Sequence, residues 1–341
     1  MRGMSWLFLA GLSLVAVARA DGPYRPAGVI PVGGSGGWDY LNVDPDARRL
    51  YVSHANKVVV IDIDRRAVVG EVADTPGVHG IAVAPELGRG FVSDGRADSA
   101  TIFDLATLQT ISKTGTGQNP DCIVYDSGRR EAVTFNGRSN SATVIDGATG
   151  RVVSTIPLPG RPEFAAVDPA ASRIFDNIVD RNEVAVIDAG THKVSSIWPI
   201  APGESASGIA IDLEHHRLFV GCRNGRMVIL DSRDGRVVAA LPIDSGVDAN
   251  AFDPGTQLAF SSNGAGTVTV AREDSAERFS VVQTLATVRG ARTMALDTRT
   301  HAIFLAAADF EPQAAPEAGQ PWQRPKIVPG TFRILVYAYE P

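Results

Sequence analysis

The chain has 341 residues, of which 44% are hydrophobic, and these totals fit a globular protein that buries a sizeable core. Its formal net charge of −6 at pH 7 argues against general electrostatic attraction to nucleic acid or to an anionic membrane. With 34 glycines and 21 prolines, the composition favours many short strands and turns over long helices.

The N-terminus has the pattern of a secretory signal. Arg2 supplies a positive charge, an apolar run extends from Trp6 to Val17, and Ala18-Arg19-Ala20 is an A-x-A cleavage sequence. The run is too short for a membrane-spanning helix, with a retained anchor as the alternative, and no later segment is apolar for long enough to span. We therefore expect residues 1–20 to be a signal peptide and the mature chain, 21–341, to be periplasmic or secreted.

A repeat of about forty residues fills the mature chain. Compare "LNVDPDARRLYVSHANKVVVID" with "IAIDLEHHRLFVGCRNGRMVILD". Seven units share an anchor position that is aspartate in six of them: Asp44, Ala84, Asp126, Asp168, Asp212, Asp253 and Asp297. Successive anchors are 40, 42, 42, 44, 41 and 44 residues apart. A period of this length indicates a repeat architecture.

Each unit reads as four short strands joined by polar turns. In the first unit these are "LNV", "RLYVS", "VVVID" and "AVVGEV". Four strands per forty-residue repeat are typical of a propeller blade, whereas a β-sandwich does not require seven similar units. The sequence therefore predicts an all-β, seven-bladed propeller with four antiparallel strands in each blade.

The last unit lacks a fourth strand, because the chain ends after "FRILVYAY". The segment "AGVIPV", Ala27–Val32, precedes the first anchor at the spacing of a fourth strand. We expect this N-terminal strand to complete the last blade and close the ring.

A proline-rich insertion, residues 310–331, interrupts the last blade. It contains five prolines, so it can be neither helix nor central strand. Two interpretations remain open: a tolerated surface insertion, or a lid or partner-binding loop.

The repeats resemble a known family. Units such as "AVTFNGRSNSATVIDGATGRVVSTIPLPG" are similar to the YVTN-type repeats of YncE-like exported bacterial propellers, whereas the G-H…W-D signature of WD40 repeats is absent. The resemblance implies an exported propeller, and one branch of that family is associated with single-stranded DNA. It supplies no catalytic motif to carry over.

One polar residue lies five positions before each anchor, where the chain enters the innermost strand of a blade. The predicted ring of ligand-binding residues is Asp39, His79, Asp121, Glu163, Ser207, Asp248 and Arg292. Because equivalent positions of successive blades surround the axis, these side chains should meet at one mouth of the channel. They either make a wet channel mouth with structural ion pairs, or hold a ligand or cation that offsets the repulsion between carboxylates.

A second tier lies ten residues after the anchors: His54, Asp94, Asn136, Ile178, Cys222, Asn263 and Ala307. Turn chemistry accounts for the asparagines. Carboxylates with imidazoles suit a divalent metal ion, the candidate cofactor, and Asp39, His54, His79 and Asp94 are the candidate metal ligands.

The remaining histidines and the two cysteines are weaker candidates for a functional site. His192, His215, His216 and His301 are predicted to be solvated on the opposite face. Cys122 should be buried, Cys222 should lie on the ring face, and a disulfide between blades three and five is not expected.

Three functions are compatible with these patterns. The first is a monomeric binding module that holds a small molecule, peptide or protein partner at the acidic ring. The second is a metal-dependent hydrolase or lyase that uses the same ring, by analogy of fold only. The third is single-stranded DNA binding, which the net charge opposes. The sequence contains no recognised nucleophile, phosphate-binding or metalloprotease motif, and it therefore leaves open whether the chain is an enzyme.

Overall fold

The computed structural model describes residues 22–312 and 325–341, which form seven four-stranded antiparallel sheets. The predicted signal peptide and the centre of the proline-rich insertion lie outside the described residues. Each sheet is one blade, and in six of the seven blades the strands run outward from the axis in chain order. The first strands of the seven blades are β2 (Trp38–Asp44), β6 (Val78–Ala84), β10 (Pro120–Asp126), β14 (Pro162–Asp168), β18 (Ala206–Asp212), β22 (Val247–Asp253) and β26 (Met294–Asp297).

The second strands pair with the first and are fully buried along most of their length. They are β3 (Arg49–His54), β7 (Arg89–Asp94), β11 (Glu131–Asn136), β15 (Arg173–Ile178), β19 (Arg217–Cys222), β23 (Leu258–Asn263) and β27 (Ala302–Ala307). The third strands follow: β4 (Lys57–Asp62), β8 (Ser99–Asp104), β12 (Ser141–Asp146), β16 (Glu183–Asp188), β20 (Arg226–Asp231), β24 (Thr267–Ser275) and β28 (Arg333–Tyr339).

The fourth strands form the outer edges and are the most exposed. They are β5 (Ala67–Val72), β9 (Thr110–Gly115), β13 (Val152–Pro157), β17 (Lys193–Pro199), β21 (Val237–Pro242), β25 (Arg278–Ala286) and, for the last blade, β1 (Tyr24–Pro31). A single turn of 3₁₀ helix, Pro85–Leu87, is the one helical element of the described chain. Within that part of the chain, no helix has the length and apolar character needed to cross a bilayer.

The ring closes as the sequence predicted. Each first strand contacts the first strands of both neighbouring blades, and β26 of the last blade contacts β2 of the first. The N-terminal β1 pairs with β28 and supplies the missing fourth strand. It begins at Tyr24 rather than at the predicted Ala27, with a register shift between Pro26 and Gly28. The seven-bladed, four-stranded propeller is therefore confirmed.

The anchor aspartates are explained by turn chemistry. The Asp44 carboxylate accepts hydrogen bonds from the backbone N–H groups of Asp46 and Ala47, which closes the turn between the first two strands. The aspartate that ends the third strand does the same at the next turn of that face, as when Asp104 accepts from the Thr107 N–H. At Ala84, the anchor without a carboxylate, the turn is the 3₁₀ segment instead.

The core lies between the blades. Seven residues of the second strands, each seven positions after an anchor, are almost completely buried: Tyr51, Phe91, Val133, Phe175, Phe219, Phe260 and Phe304. Six of these are aromatic, and truncating one such residue to alanine costs about 3–5 kcal/mol. Packing between blades thus fixes the positions from which the first strands reach the axis.

The two faces of the ring differ in their turns. The turns between second and third strands, and those entering the first strands, open on what we call the mouth face; the other turns open on the opposite face. The base of the proline-rich insertion lies on the mouth face, where Phe310 bridges Ile327 and its ring lies 6.2 Å from Trp38. The insertion is thereby attached beside the channel mouth.

Candidate functional site

The predicted ring residues lie at the starts of the first strands, where the backbone is irregular. In blade one the register shifts between Trp38 and Leu41, so that Asp39 and Tyr40 face a single residue, Ser53, of the second strand. Corresponding shifts occur in the next five blades. Such β-bulges turn a side chain out of the regular alternation of a strand. Here the bulges place the ring side chains at the channel mouth.

Three ring residues form what we call the acid–histidine arc: Asp39, His79 and Asp121. The Nδ1 atom of His79 lies 2.6 Å from Oδ2 of Asp39 and 3.7 Å from Oδ1 of Asp121. One ligand atom from each residue lies within 4.8 Å of the others, a spacing that could hold a metal ion. No arginine or lysine forms an ion pair with either carboxylate in residues 22–312 and 325–341.

Burial and charge shift the protonation of this arc. Burial, and then the negative charge of Asp39, raises the pKa of the Asp121 carboxyl to about 8. Burial by itself would lower the pKa of His79, but the hydrogen bond to Asp39 and the charge of Asp121 outweigh it and raise the pKa. Near neutral pH the arc therefore holds protons on both His79 and Asp121. A bound cation would take the place of those protons.

The other four ring residues form the arginine-paired arc: Glu163, Ser207, Asp248 and Arg292. Arg292 Nε lies 2.8 Å from Asp248 Oδ2, and Ser207 Oγ lies 3.2 Å from Asp248 Oδ1. Arg223, which the sequence analysis did not select, places Nη2 2.9 Å from Glu163 Oε1. Burial raises the pKa of Asp248, but the charge of Arg292 limits the rise to about 6, so this carboxyl is ionised at neutral pH.

An aromatic pair crosses the channel beneath the ring. The rings of Tyr40, from blade one, and Phe164, from blade four, stack with centroids 4.3 Å apart. The other five blades have small residues at this position, which leaves room for the two rings: Gly80, Cys122, Gly208, Ala249 and Thr293. Burial, followed by the charge of Asp121, raises the pKa of Tyr40 well above its usual range, so its hydroxyl stays neutral. The stacked rings form the floor of the mouth.

Above this floor the ring surrounds a cavity of about 830 Å³. Its lining includes Trp38 and two further arginines, Arg96 and Arg138, from the turns after the second strands of blades two and three. Neither arginine forms an ion pair within the part of the chain that the structure describes. Both lie twelve residues after an anchor, a register position that could have identified them from sequence. The cavity thus combines carboxylates, guanidinium groups and an aromatic floor.

His54 and Asp94, two of the candidate metal ligands, have other surroundings. The His54 ring lies edge-on to Phe332 at 4.2 Å, and its Nε2 atom lies 3.2 Å from the Ser35 carbonyl oxygen. Burial lowers the pKa of His54 to about 4, so the imidazole is neutral. Asp94 accepts a 2.6 Å hydrogen bond from the Thr101 hydroxyl. The ligand atoms that converge on Asp39 and His79 come from Asp121 instead.

The histidines of the opposite face are less solvated than predicted. His192 Nε2 lies 2.9 Å from Glu131 Oε2, and His301 Nδ1 lies 2.8 Å from Asp253 Oδ2. His215 contacts two carboxylates between blades five and six. The prediction of solvated side chains was wrong for these three residues, because turns of adjacent blades lie side by side and bring acids to them.

Both cysteines are buried free thiols. Cys122 and Cys222 make no disulfide, as expected from their blades. Cys222 belongs to the core between blades rather than to the surface of the mouth face, which corrects its predicted position. Neither thiol lines the cavity.

The fold and this mouth define a seven-bladed β-propeller with a charged cavity on its axis. No protein-family model and no curated protein matches the chain. Among solved structures, 1849 chains match. One is hydrazine synthase of Kuenenia stuttgartiensis, with a TM-score of 0.71 and 19% identity over 80% of this chain and 92% of that one. At this identity the likeness shows the fold alone, and the resemblance to YVTN-type repeats stays a prediction from the repeat residues.

Proposed function

We propose that the protein is an exported binding module that holds a small polar ligand, or a polar segment of a peptide or protein partner, in the mouth cavity. The observation that carries this proposal is the acid–histidine arc. Asp39 and Asp121 face the cavity around one histidine, without the arginine partners that stabilise the equivalent acids across the channel. Carboxylates that repel one another are stabilised by a bound cation.

The charges of the cavity specify the kind of ligand. A positively charged group, either an amine or a metal ion, fits between Asp39 and Asp121. An anionic group fits Arg96 and Arg138, which belong to blades two and three, the blades that supply His79 and Asp121. Neither arginine has an acidic partner in residues 22–312 and 325–341. The stacked rings of Tyr40 and Phe164 offer an apolar surface beneath. Ligand cavities commonly combine such an apolar surface with a few oriented polar groups.

A metal-dependent hydrolase or lyase is the second candidate. It is favoured by the spacing of the Asp39, His79 and Asp121 ligand atoms, which all lie within 4.8 Å of one another. A divalent ion there would polarise a substrate oxygen or activate water, and Arg138 would bind an anionic part of the substrate. This candidate requires a bound metal ion in addition to the cavity, whereas the binding function requires the cavity alone.

The mixed charges of the mouth argue against nucleic acid as the ligand. The cavity lining carries four arginines, but four carboxylates lie among them: Asp39, Asp121, Glu163 and Asp248. Binding to a phosphate backbone depends on an excess of positive charge. The proposal also includes export to the periplasm or beyond, which the signal-like residues 1–20 support. It further includes membership of the YVTN-type repeat family, which the repeat motifs support.

The proposal is tested with untagged protein. Native mass spectrometry and elemental analysis report a resident ligand or metal ion, and calorimetry measures the binding of L-arginine, putrescine, citrate, Zn²⁺ and Mn²⁺. We expect at least one probe or resident molecule to bind, and Asp39→Asn and Asp121→Asn to weaken it at least about tenfold, the factor that corresponds to a loss of about 1.4 kcal/mol.

Glu71→Gln is the matched control, because it removes an exposed carboxylate of the outer strand β5 whose ion pair among the described residues is with Lys57. It should leave binding unchanged. If no resident molecule is found and no probe distinguishes the arc variants from this control, the binding function is wrong. Hydrolase activity would further require a stoichiometric metal ion that the His79→Ala variant loses.

A further inference from the structure

A second convergence of ligand atoms lies on the opposite face, between blades five and six. It consists of Asp212, at the end of β18, His215, in the turn that follows, and Glu273, near the end of β24. The Nδ1 atom of His215 lies 2.8 Å from Asp212 Oδ2 and 3.2 Å from Glu273 Oε1. This group is separate from the mouth cavity and has no part in the function proposed above.

Glu273 occupies a position that carries no charge in other blades. Its backbone N–H donates to the carbonyl oxygen of Gln257, just before the second strand of its blade. The residues that make the equivalent bond in the first five blades are Ile63, Leu105, Gly147, Ala189 and Ser232. A glutamate at this packed position needs a reason, because burying an unpaired carboxylate is costly.

The Glu273 side chain is buried and unpartnered. The residue is 5% exposed, and neither carboxylate oxygen has a hydrogen-bond partner among the described residues. The contact with His215 makes no hydrogen bond either, since Nδ1 and Oε1 are both unsatisfied. Arg217 lies in the same region, but its guanidinium is already paired with Asp231 at 3.1 Å and with Glu277 at 3.3 Å. The carboxylate therefore faces Nδ1 of His215 without a hydrogen bond, and no arginine or lysine forms an ion pair with it among the described residues.

The spacing suits a divalent metal ion. Zinc bonds of about 2.0–2.2 Å in tetrahedral geometry would place neighbouring ligand atoms about 3.3 Å apart, close to the observed separations. Asp212 keeps its structural role at the same time, because its two oxygens accept the N–H groups of Glu214 and His215 and retain further lone pairs. The half-exposed His215 leaves the outer side open to water as a fourth ligand.

We propose that Asp212, His215 and Glu273 form a divalent-metal site that binds Zn²⁺ and links blade five to blade six. Two carboxylate oxygens and one imidazole nitrogen form a donor set that zinc accepts. The ion supplies positive charge to buried Glu273, and it adds a link between two blades that already meet through apolar packing and through the Arg217–Glu277 ion pair. Its role is structural, because its ligands come from side chains of two adjacent blades and the ion would hold them together.

Zinc titration of untagged, metal-stripped protein tests the site. To keep the mouth arc from binding zinc, all variants carry His79→Ala. Calorimetry of this parent should show one zinc ion bound, and zinc should raise its melting temperature. Glu273→Gln and His215→Ala should each weaken that binding at least about 100-fold, more than the loss typical of residues that only support metal ligands.

His301→Ala is the matched control. His301 contacts Asp253 on the same face, one blade further on, but within the described part of the chain no second carboxylate joins that pair. Zinc binding should survive this substitution. Without metal, Glu273→Gln should melt at or above the temperature of the parent, because it removes an uncompensated buried carboxylate. The proposal is overturned if zinc binds the parent and the Glu273→Gln variant alike, or if the parent binds none.

Discussion

The acid–histidine arc and the arginine-paired arc share one backbone geometry but balance their charges differently. Both present polar side chains from bulged strand starts to the same cavity. Across the channel Asp248 has Arg292 and stays ionised near neutral pH, whereas Asp121 has a pKa of about 8 and holds a proton. The repeat therefore fixes where a side chain is placed, and the neighbouring blade decides its charge.

This difference assigns stability to the arginine-paired arc and binding to the acid–histidine arc. The arginine-paired arc is complete in itself, so its residues contribute to the fold. The acid–histidine arc holds two carboxyl groups around His79 with no arginine or lysine partner among the described residues, and such clusters of shifted pKa values are common at functional sites. Variants that remove the pairing arginines, the arc histidine or a nearby buried carboxylate, one kind at a time, test this assignment.

The largest effect is expected from removing the two pairing arginines. The double variant Arg223→Met, Arg292→Met leaves Glu163 and Asp248 without cations, and we expect the free energy of unfolding to fall by about 3 kcal/mol. This figure is reduced from the cost of breaking two buried pairs, because both arginines are partly exposed. Urea denaturation measures it. The double variant Arg96→Met, Arg138→Met is the control and should lie within about 0.5 kcal/mol of the parent; equal losses would refute the division into two arcs.

A smaller effect is expected from raising the pH. The folded chain raises the pKa of His79 to about 9, above the value near 6.5 in the unfolded chain. Its stabilising contribution is complete below pH 6.5 and is lost as the pH rises through 9, which we expect to cost about 2 kcal/mol. Thermal melts between pH 6 and 9.5 should fall more steeply for the parent than for His79→Gln. His216→Gln, outside the ring, should keep the parental slope; a parental slope for His79→Gln would contradict the prediction.

The smallest effect concerns a carboxylate behind the acid–histidine arc. Burial raises the pKa of Asp94 to about 6, and blades three and six have Asn136 and Asn263 at this position, bonded to equivalent threonines. Asp94→Asn should therefore raise the free energy of unfolding by about 1 kcal/mol at pH 7. The gain should shrink as the pH falls below 6, because the folded carboxyl then takes up its proton. Urea denaturation at pH 7 and pH 5 checks both statements, and destabilisation at pH 7 would show that Asp94 needs its charge.

Much of the fold could be predicted from sequence because the same residue types recur at equivalent positions of most repeat units. An anchor such as Asp44 marks a turn that only a capping side chain closes in this way, and an aromatic such as Phe91 marks the packed second strand. Once the register is fixed, the seven ring positions follow, since equivalent residues of successive blades surround one axis. The closing role of the N-terminal strand followed from the missing fourth strand of the last unit.

The contacts within the site could not be predicted in the same way. Register places His79 at the mouth, but only side-chain conformation decides that Asp39 and Asp121, rather than His54 and Asp94, lie beside it. The stack of Tyr40 on Phe164 joins blades one and four, and no local pattern relates residues so far apart. One of the two acids around His215, Glu273, comes from the neighbouring blade, whose third strand is longer than the equivalent strands of the first five blades.

The closure of the ring has a consequence for the connectivity of the chain. Strands β1 and β28 are antiparallel neighbours, and the Glu340 N–H donates to the Pro23 carbonyl oxygen at 2.7 Å, so the two ends of the described chain lie side by side. A short peptide joining them would turn the closing pair into an ordinary hairpin, while a cut in any exposed turn between blades would supply new ends. Proteins whose ends adjoin commonly tolerate such circular permutation. Packing therefore sets the order of the blades around the axis, and that order does not depend on which blade contains the chain ends.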